Sequence, residues 1–584
     1  MIHDIQQLLE QALKSLIDDG IVPDDTVAEV QVERAKDASH GDLATNLAMR
    51  LAKPARRKPR ELAEALTTAI PHSKLIDTTD IAGPGFINFF FDNTWLRETV
   101  QHMAASARAA VRQADTPSIV VVDYSAPNIA KEMHVGHIRS TIIGDTMART
   151  LEFLGHRVIR ANHVGDWGTQ FGMLIAHLEE LRHGDQGALD NELADLETFY
   201  REAKKRYDND EEFAAKARSY VVRLQGGDDW CVRQWQDLVD ITMVQNQRCY
   251  DRLNVTLTRD DTMGESLYND MLPAIVEDLL SRGIAVEDND AVVVFLDEYK
   301  TKDGDSMGVI IRKKDGGFLY ATTDIACAKY RYEQLDANRI IYCVDSRQSQ
   351  HLQQAWTIAR RAGYIPDEVP TEHHAFGMML GKDGKPFKTR EGGTIRLVDL
   401  LEEGHDRARA MVSEKNPELD AETLEHVSEA VGIGAIKYAD LSKNRTTDYV
   451  FDWDHMLSFD GNTAPYLQYA YTRIVSVMEK AGAARGELHG PVTLAHDTEL
   501  MLARTLVWFE ETLNSVAEHG TPHQLCGYLY ELSRQFTRFY ENCPINKDDV
   551  EPAVRNSRLC LCAAVANVLE TGLGLLGIVV LDRM

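Results

Sequence analysis

Cysteine is sparse in this sequence: eight residues in 584, with no C-x-x-C spacing anywhere. That excludes a zinc knuckle and a disulfide framework, and it points to a reducing, cytoplasmic compartment. Cys560 and Cys562 sit in an apolar helical pattern and are expected in the core. No apolar run approaches the roughly 20 residues that a bilayer-spanning helix needs. The C-terminal stretch GLGLLGIVVL reads as a buried helix end, so no membrane partner is expected. The N-terminus, MIHDIQQLLEQALKSLIDDG, mixes charge with Leu and Ile at helical spacing, unlike a signal peptide. Internal repeats and low-complexity tracts are missing as well. Positive charge is scarce: 63 Lys and Arg stand against 91 Asp and Glu, a net charge of −28. Indiscriminate nucleic-acid binding is thereby excluded, while a large shaped RNA held by local basic patches on an acidic body is not.

What is present is an ordinary globular composition, 44% hydrophobic and 26% charged, in a chain too long for one core. The most informative stretch is SIVVVDYSAPNIAKEMHVGHIRSTIIGD, from Ser118 to Asp145. Four Ile or Val residues make Ile119 to Asp123 a buried strand, and Ser125-Ala126-Pro127-Asn128 makes a turn. His134-Val135-Gly136-His137 then opens a helix whose apolar stripe is Ile138, Ile142 and Ile143. Strand, small-residue break and helix N-terminus is how α/β folds build a phosphate site, with free backbone N–H groups and the positive helix end facing the ligand. Gly136 lets a nucleotide approach the backbone. His134 and His137, spaced i, i+3, share one helix face and can reach one phosphate.

This segment resembles the His-Ile-Gly-His signature of class I aminoacyl-tRNA synthetases, and the longer run resembles arginyl-tRNA synthetases in particular. The resemblance implies an α/β fold: a Rossmann-type nucleotide-binding catalytic domain with helical insertions, an N-terminal α/β appendage and an all-α C-terminal anticodon-binding domain.

Taken in order, residues 1–112 form the appendage. A first helix carries Leu8, Leu9, Leu13, Leu16 and Ile17 on one face, with Gly20 as its stop. The densest basic run follows, including Arg56, Arg57 and Lys58; it is either a solvated face or an RNA contact. In the resemblance this domain touches the tRNA elbow. Residues 117–400 form the catalytic domain, with insertions near 170–257 and 265–316. The first insertion is charged and helical, including a run from Leu189 to Leu224. In the second, Ala291 to Phe295 is a strand, and GVIIRKKDGGFLYA predicts a hairpin turning at Asp315-Gly316-Gly317. Arg157 to Ala161 and Arg339 to Val344 are further strands of the main sheet.

In open α/β sheets ligands sit at the carboxyl ends of strands. Asp123, Ser125, Tyr320, Asp324 and Gln348 fall at or just past such ends, and each Asp is either a cap, an ion-pair member or a ligand contact. A guanidinium substrate calls for planar carboxylate acceptors. The resemblance implies that Asp123, Ser125, Asn128, Tyr320, Asp324 and Gln348 bind arginine, with Asp123 standing where some relatives carry glutamate.

A second signature is expected as a lysine-bearing loop, and FGMMLGKDGKPFKTREGGTIRL supplies one. Glycines 377, 381, 384, 392 and 393 bracket Lys382, Lys385, Lys388 and Arg390. Such a loop adds positive charge as pyrophosphate leaves. The family motif is Lys-Met-Ser-Lys-Ser; here Lys385-Pro386-Phe387-Lys388-Thr389 keeps only the lysines, and Lys388 is assigned the working role. His134, His137 and Lys388 are thus the expected catalytic residues, and Gly136 and Lys385 join them in holding ATP.

A helical connection spans 401–454, and the anticodon-binding domain spans 455–584. Tyr466, Tyr469 and Arg473 fall at i, i+3, i+7, either as core or as a face on which unpaired tRNA bases stack. The implied reaction joins L-arginine to ATP, giving arginyl-adenylate and pyrophosphate, then transfers the arginyl group to the 3′-terminal adenosine of tRNA(Arg). Magnesium is expected to arrive with ATP, with no dedicated protein metal site. The expected state is a monomer, and the resemblance implies that activation requires bound tRNA. A small-molecule adenylyltransferase shares the His-x-Gly-His logic but lacks the helical C-terminal domain. A silent RNA-binding paralogue keeps the appended domains but loses the histidines or the lysine loop.

Overall fold

Ile119–Asp123 is the strand on which the catalytic part is built, and four of its five residues are buried. It lies inside a parallel sheet whose order is Thr371–His373, Arg339–Tyr342, Ile119–Asp123, Arg157–Ala161. From the central strand the chain first forms the neighbour on one side and only later the neighbour on the other. That reversal opens a crevice at the carboxyl ends of Asp123 and Tyr342, where such sheets place ligands. The signature helix Val135–Phe153 crosses this sheet and is buried on most of its circumference. Close packing is the reason for Gly144: a Cβ there would lie 2.2 Å from Tyr124.

The structure is a computed structural model that describes residues 1–35, 37–182, 195–300, 304–387, 395–485, 488 and 490–584. The chain packs as two compact units. One comprises Arg112–Thr472, Ser515–Leu529 and Gly572–Met584, and holds the parallel sheet. Within it, helices Gln170–Arg182, Leu196–Asn209, Glu211–Gln225 and Asp229–Arg252 form a block with its own core around Phe171, Leu174, Phe199, Phe213 and Leu238. Of the helical run expected from Leu189 to Leu224, the part up to residue 194 lies outside the described residues.

The stretch near 265–316 contains helix Leu272–Ser281 and an antiparallel sheet of Val286–Asp288, Ala291–Lys300 and Ser306–Arg312. Its Val292, Val294, Leu296 and Ile311 share a core with Val121 and Ile340 of the main sheet. The hairpin differs from expectation. It joins Ala291–Lys300 to Ser306–Arg312, while the turn at Asp315-Gly316-Gly317 closes only a single bridge from Arg312 to Phe318. The physical reason is that Phe318 is followed by Leu319, which caps helix Tyr320–Glu333, so no strand can continue. The predicted strand from Arg339 to Val344 ends at Tyr342, although Cys343 N–H still donates to Asp123 O at 2.8 Å. Among the described residues beyond 400, helices and their connecting loops are joined by one strand, Tyr449–Val450, which pairs in parallel with Met379–Leu380.

The other unit comprises Met1–Val111, Arg473–Asn514 and Tyr530–Thr571. Its antiparallel sheet has the order Glu33–Arg34, Leu43–Thr45, Phe86–Phe91, Ile76–Ala82. Helix Ile2–Asp18 buries Ile5, Leu9, Ala12, Leu13 and Leu16, with Leu8 and Ile17 at the margin of the stripe. The N-terminal residues are tied to the helices of the same unit: the Met1 amine lies 2.9 Å from Glu511, and Asn567 Nδ2 donates to Met103 O and Ala104 O at 3.0 Å.

One expectation about apolar length is corrected. Helix Pro552–Leu575 is long and apolar enough to cross a membrane by length and composition, but 78% of its most apolar window is buried inside the protein. The pattern missed by run-counting is a helix that is apolar on nearly all sides because it is packed on nearly all sides.

Candidate active site

The turn after the central strand is strained and braced. Ser125 and Ala126 have φ of 72° and 48°, a left-handed conformation that costs a non-glycine residue roughly 1–2 kcal/mol. Ser125 N–H donates to Ser140 Oγ at 2.9 Å, and Ala126 N–H donates to Asn162 Oδ1 at 3.1 Å. Ser125 Oγ is buried between Tyr250 Oη at 2.8 Å and Thr141 Oγ1 at 3.0 Å. Asn128, by contrast, is exposed at the end of the turn, where it bridges to Gly165.

The helix N-terminus differs from the expected cradle of free N–H groups. Gly136 N–H donates to His134 Nδ1 at 3.0 Å, His137 N–H to His134 O at 2.8 Å, and Val135 N–H to Ile395 O at 3.0 Å. The orphan donors of the first turn are therefore already satisfied. What the site presents instead is a pair of rings. His134 N–H donates to His137 Nδ1 at 3.0 Å, and the ring centroids are 3.9 Å apart. Because Nδ1 of each ring accepts a backbone N–H, the proton of each neutral imidazole sits on Nε2. Burial lowers the pKa of His134, and burial followed by the neighbouring His134 pushes His137 down to about 3. Both act at neutral pH as uncharged N–H donors. Gly136 is required here for space, since a Cβ would lie 2.7 Å from the His134 ring.

The predicted arginine residues divide into two groups. Asp123 pairs with Arg331 at 2.6 Å, with both side chains buried, while Asp123 Oδ1 has no hydrogen-bond partner. Arg331 also lies over the Tyr342 ring at 4.7 Å. Asp123 and Ser125 are thus engaged within the fold. Asp324, Tyr320 and Gln348 are gathered around His351 and the start of its helix. Asp324 Oδ2 lies 2.5 Å from His351 Nε2, and that hydrogen bond raises the histidine pKa. Tyr320, 72% exposed, begins helix Tyr320–Glu333 and meets the His351 ring edge-on at 6.5 Å. Gln348 is exposed and caps helix Ser349–Arg361, which carries His351.

Sequence reasoning missed Glu265, which no motif marks among so many acidic residues. Burial first, and then the charges of Asp324 and Asp166, raise its pKa to about 7. Asp166 is itself held by Ser266 through N–H and Oγ at 2.9 and 2.7 Å. Burial beside two further carboxylates, without a lysine or arginine among the causes of the Glu265 shift, gives surroundings that favour a cation.

Of the lysine loop, Gly381 to Phe387 forms a tight hairpin with Gly384 at φ +72°, and Lys382 reaches Asp452 at 3.1 Å. Lys385 is exposed. Lys388, Thr389, Arg390 and the glycines at 392 and 393 lie outside the described residues.

At the proposed RNA faces, Arg56 ends helix Leu47–Ala55 in the left-handed region, and Arg56, Arg57 and Lys58 are all exposed. Lys58 has an exposed neighbour in Glu61 at 3.8 Å. On helix Ala464–Lys480, Leu467, Tyr471 and Ile474 are the buried stripe. Tyr469 is 42% exposed with Phe459 at its edge, Tyr466 is half-buried, and Arg473 lies over Tyr540 at 5.7 Å.

Known proteins match this arrangement along the whole chain. Family models described as the N-terminal domain of arginyl tRNA synthetase, the catalytic domain of class I (R) tRNA synthetases and the DALR anticodon binding domain match residues 3–91, 99–453 and 467–584. Arginine–tRNA ligases of Cronobacter sakazakii and Klebsiella pneumoniae are 59% and 60% identical over 582 and 583 residues, covering 100% of each chain. The arginyl-tRNA synthetase structure from Plasmodium falciparum superposes with a TM-score of 0.81 at 26% identity, over 100% of this chain and 99% of that one. The Thermus thermophilus arginyl-tRNA synthetase has the same fold, with a TM-score of 0.81 over 100% of both chains at 24% identity. The chain belongs to the arginyl-tRNA synthetase family, with a class I catalytic domain between the family's N-terminal domain and a helical anticodon-binding domain.

Proposed function

We infer that this chain works as an arginine–tRNA ligase in two steps at one crevice. The arginine carboxylate attacks the α-phosphorus of magnesium-bound ATP, which forms arginyl-adenylate and expels pyrophosphate. The 3′-terminal adenosine hydroxyl of tRNA(Arg) then attacks the activated carbonyl, and AMP leaves. The reading rests on the full-length likeness to arginine–tRNA ligases and, within the structure, on one observation. His134 and His137 spend Nδ1 on backbone N–H groups and keep Nε2–H as donors, with no hydrogen bond from Nε2 among the described residues. Charge that grows on the α-phosphate oxygens is met by two pre-oriented neutral donors, so no reorganisation is needed in the transition state. Gly136 keeps His134 in place, and Lys385 and Lys388 bring positive charge to the departing pyrophosphate.

For arginine, Asp324 and Glu265 are the guanidinium acceptors, with Asp166 fixing the local charge, and Tyr320 and Gln348 shape the mouth of the pocket. Asn128 at the turn and the unpartnered Oδ1 of Asp123 are the acceptors left for the substrate ammonium, and Ser125 braces the turn that carries them. For tRNA, Arg56, Arg57 and Lys58 grip backbone phosphates, while Tyr466, Tyr469 and Arg473 offer a face for unpaired bases. The enzyme is placed in the cytoplasm as a monomer, where a reducing compartment suits its eight free thiols. Arginine-dependent ATP–pyrophosphate exchange in the presence of tRNA(Arg) tests the reading: exchange that needs arginine supports it, and exchange that ignores arginine overturns it.

A further inference from the structure

The two signatures are more than 200 residues apart, and the lysine segment is joined to the first signature differently at its two ends. Its exit is stitched on directly: Val135 N–H donates to Ile395 O at 3.0 Å, and Leu397 N–H donates to Met133 O at 2.8 Å. Its entry is held by a third stretch of chain. Gly377 N–H donates to Arg445 O at 2.9 Å, Tyr449 N–H to Met378 O at 3.1 Å, and Phe451 N–H to Leu380 O at 2.8 Å. The approach is so close that a Cβ at Gly377 would lie 2.5 Å from Asp448 Oδ1. The hairpin that follows returns through Phe387 N–H to Met379 O at 3.0 Å, and the Phe387 ring packs on Phe451 at 4.8 Å. Whatever sets the position of residues 445–451 therefore sets where the lysine hairpin begins.

A charged side chain on the signature helix reaches that stretch. Arg139, two residues after His137, is 2% exposed. Its Nε lies 2.9 Å from the Asp440 carboxylate, its Nη1 donates to Thr447 O at 3.1 Å, and its plane lies over Tyr449 at 5.2 Å. Burying such a pair costs desolvation, and apolar side chains of similar volume often serve stability as well or better. What an apolar residue or a lysine cannot do is hold a carboxylate, a carbonyl and a ring with one rigid fork.

We propose that Arg139 is a positioning residue for the ligase reaction: through Asp440, Thr447 and Tyr449 it sets the register between the signature histidines and the entry of the lysine segment. The proposal rests on the ligase reading above. Displacing the entry moves the lysine charges relative to the phosphates that His134 and His137 hold, and leaves the carboxylates of the arginine pocket in place.

The test uses the full-length enzyme with Arg139→Lys, which keeps the charge and loses the fork, and Tyr449→Leu, which keeps the Arg139–Asp440 pair and removes the ring. ATP–pyrophosphate exchange with tRNA(Arg), equilibrium arginine binding and thermal unfolding are measured for each. Both variants are expected to lose roughly ten- to a hundredfold in exchange kcat, the scale on which an ångström of misplacement acts, with arginine Kd within about twofold of the parent. A purely structural role would lower the melting temperature and leave kcat per folded molecule unchanged, which would overturn the proposal, as would equal losses in kcat and arginine affinity. Where Arg139→Lys does not fold, Tyr449→Leu decides on the same criteria. A parent enzyme without arginine-dependent exchange would instead refute the ligase reading itself.

Discussion

The backbone N–H of His134 donates to Nδ1 of His137 at 3.0 Å, so the second histidine of the signature is oriented by the main chain of the first. Both rings are held neutral by burial, with His137 at about 3. His134→Ala and His137→Ala should each lower the adenylation rate by the equivalent of roughly 2–4 kcal/mol, as loss of an oxyanion donor does, with little change in arginine affinity. Single-turnover adenylation beside equilibrium binding checks this; parent rates in both variants would refute the assignment.

The same lowered pKa values fix a pH signature. A histidine whose folded pKa lies below its unfolded value of about 6.5 contributes stability above that value, and loses it as pH falls toward the folded pKa. His137 should therefore make the protein progressively less stable from about pH 6.5 down to about 3. Denaturant unfolding at a series of pH values should show a shallower acid loss in His137→Gln than in the parent.

Burial and the neighbouring carboxylates push the Glu265 carboxyl up to about 7, and a bound guanidinium favours its ionised form. Arginine binding should release protons around pH 6, tighten as pH rises through about 7, and release none above pH 8. Calorimetry in buffers of different ionisation enthalpy measures the release directly. Glu265→Gln should abolish it; unchanged release in that variant would exclude Glu265 as the group.

Asp324→Asn keeps volume, removes a charge and leaves His351 without its anionic partner. Arginine affinity should fall, and discrimination against neutral citrulline should narrow, because it depends on pairing a carboxylate with a cation. Unaltered arginine affinity would return Asp324 to the role of a histidine-pairing residue.

Replacing Arg56, Arg57 and Lys58 together by Gln should raise the KM for tRNA and leave that for ATP unchanged. The slope of log K against log salt should flatten by roughly 0.9 for each duplex phosphate that is no longer neutralised. An unchanged slope in tRNA binding would make these three residues a solvated face.

The strands Ile119–Asp123 and Arg157–Ala161 were legible because period and β-branched content are local properties, and so was the His134–His137 pair. The glycines marked a lysine-bearing loop, whose described part, Gly381 to Phe387, is a hairpin. Four features were not legible, each for a physical reason. Free N–H groups at the helix start were expected, but His134 and His137 form a reciprocal cap that only their rotamers reveal. Asp123 was expected at the site, but its pairing with Arg331, 208 residues away, was not. Glu265 and the Arg139–Asp440 pair depend on proximity across hundreds of residues. Arg139 alone left a trace, as a charge near the apolar stripe of a helix buried almost all round.

The central claim, that two neutral imidazoles and an acidic pocket serve arginine activation and transfer to tRNA, is tested most directly by charging purified tRNA(Arg) with labelled arginine. The account predicts ATP-dependent, arginine-specific labelling of the tRNA 3′ end that collapses in His134→Ala and His137→Ala. Labelling at the parent rate in both variants, or labelling with lysine or citrulline as readily as with arginine, would contradict it.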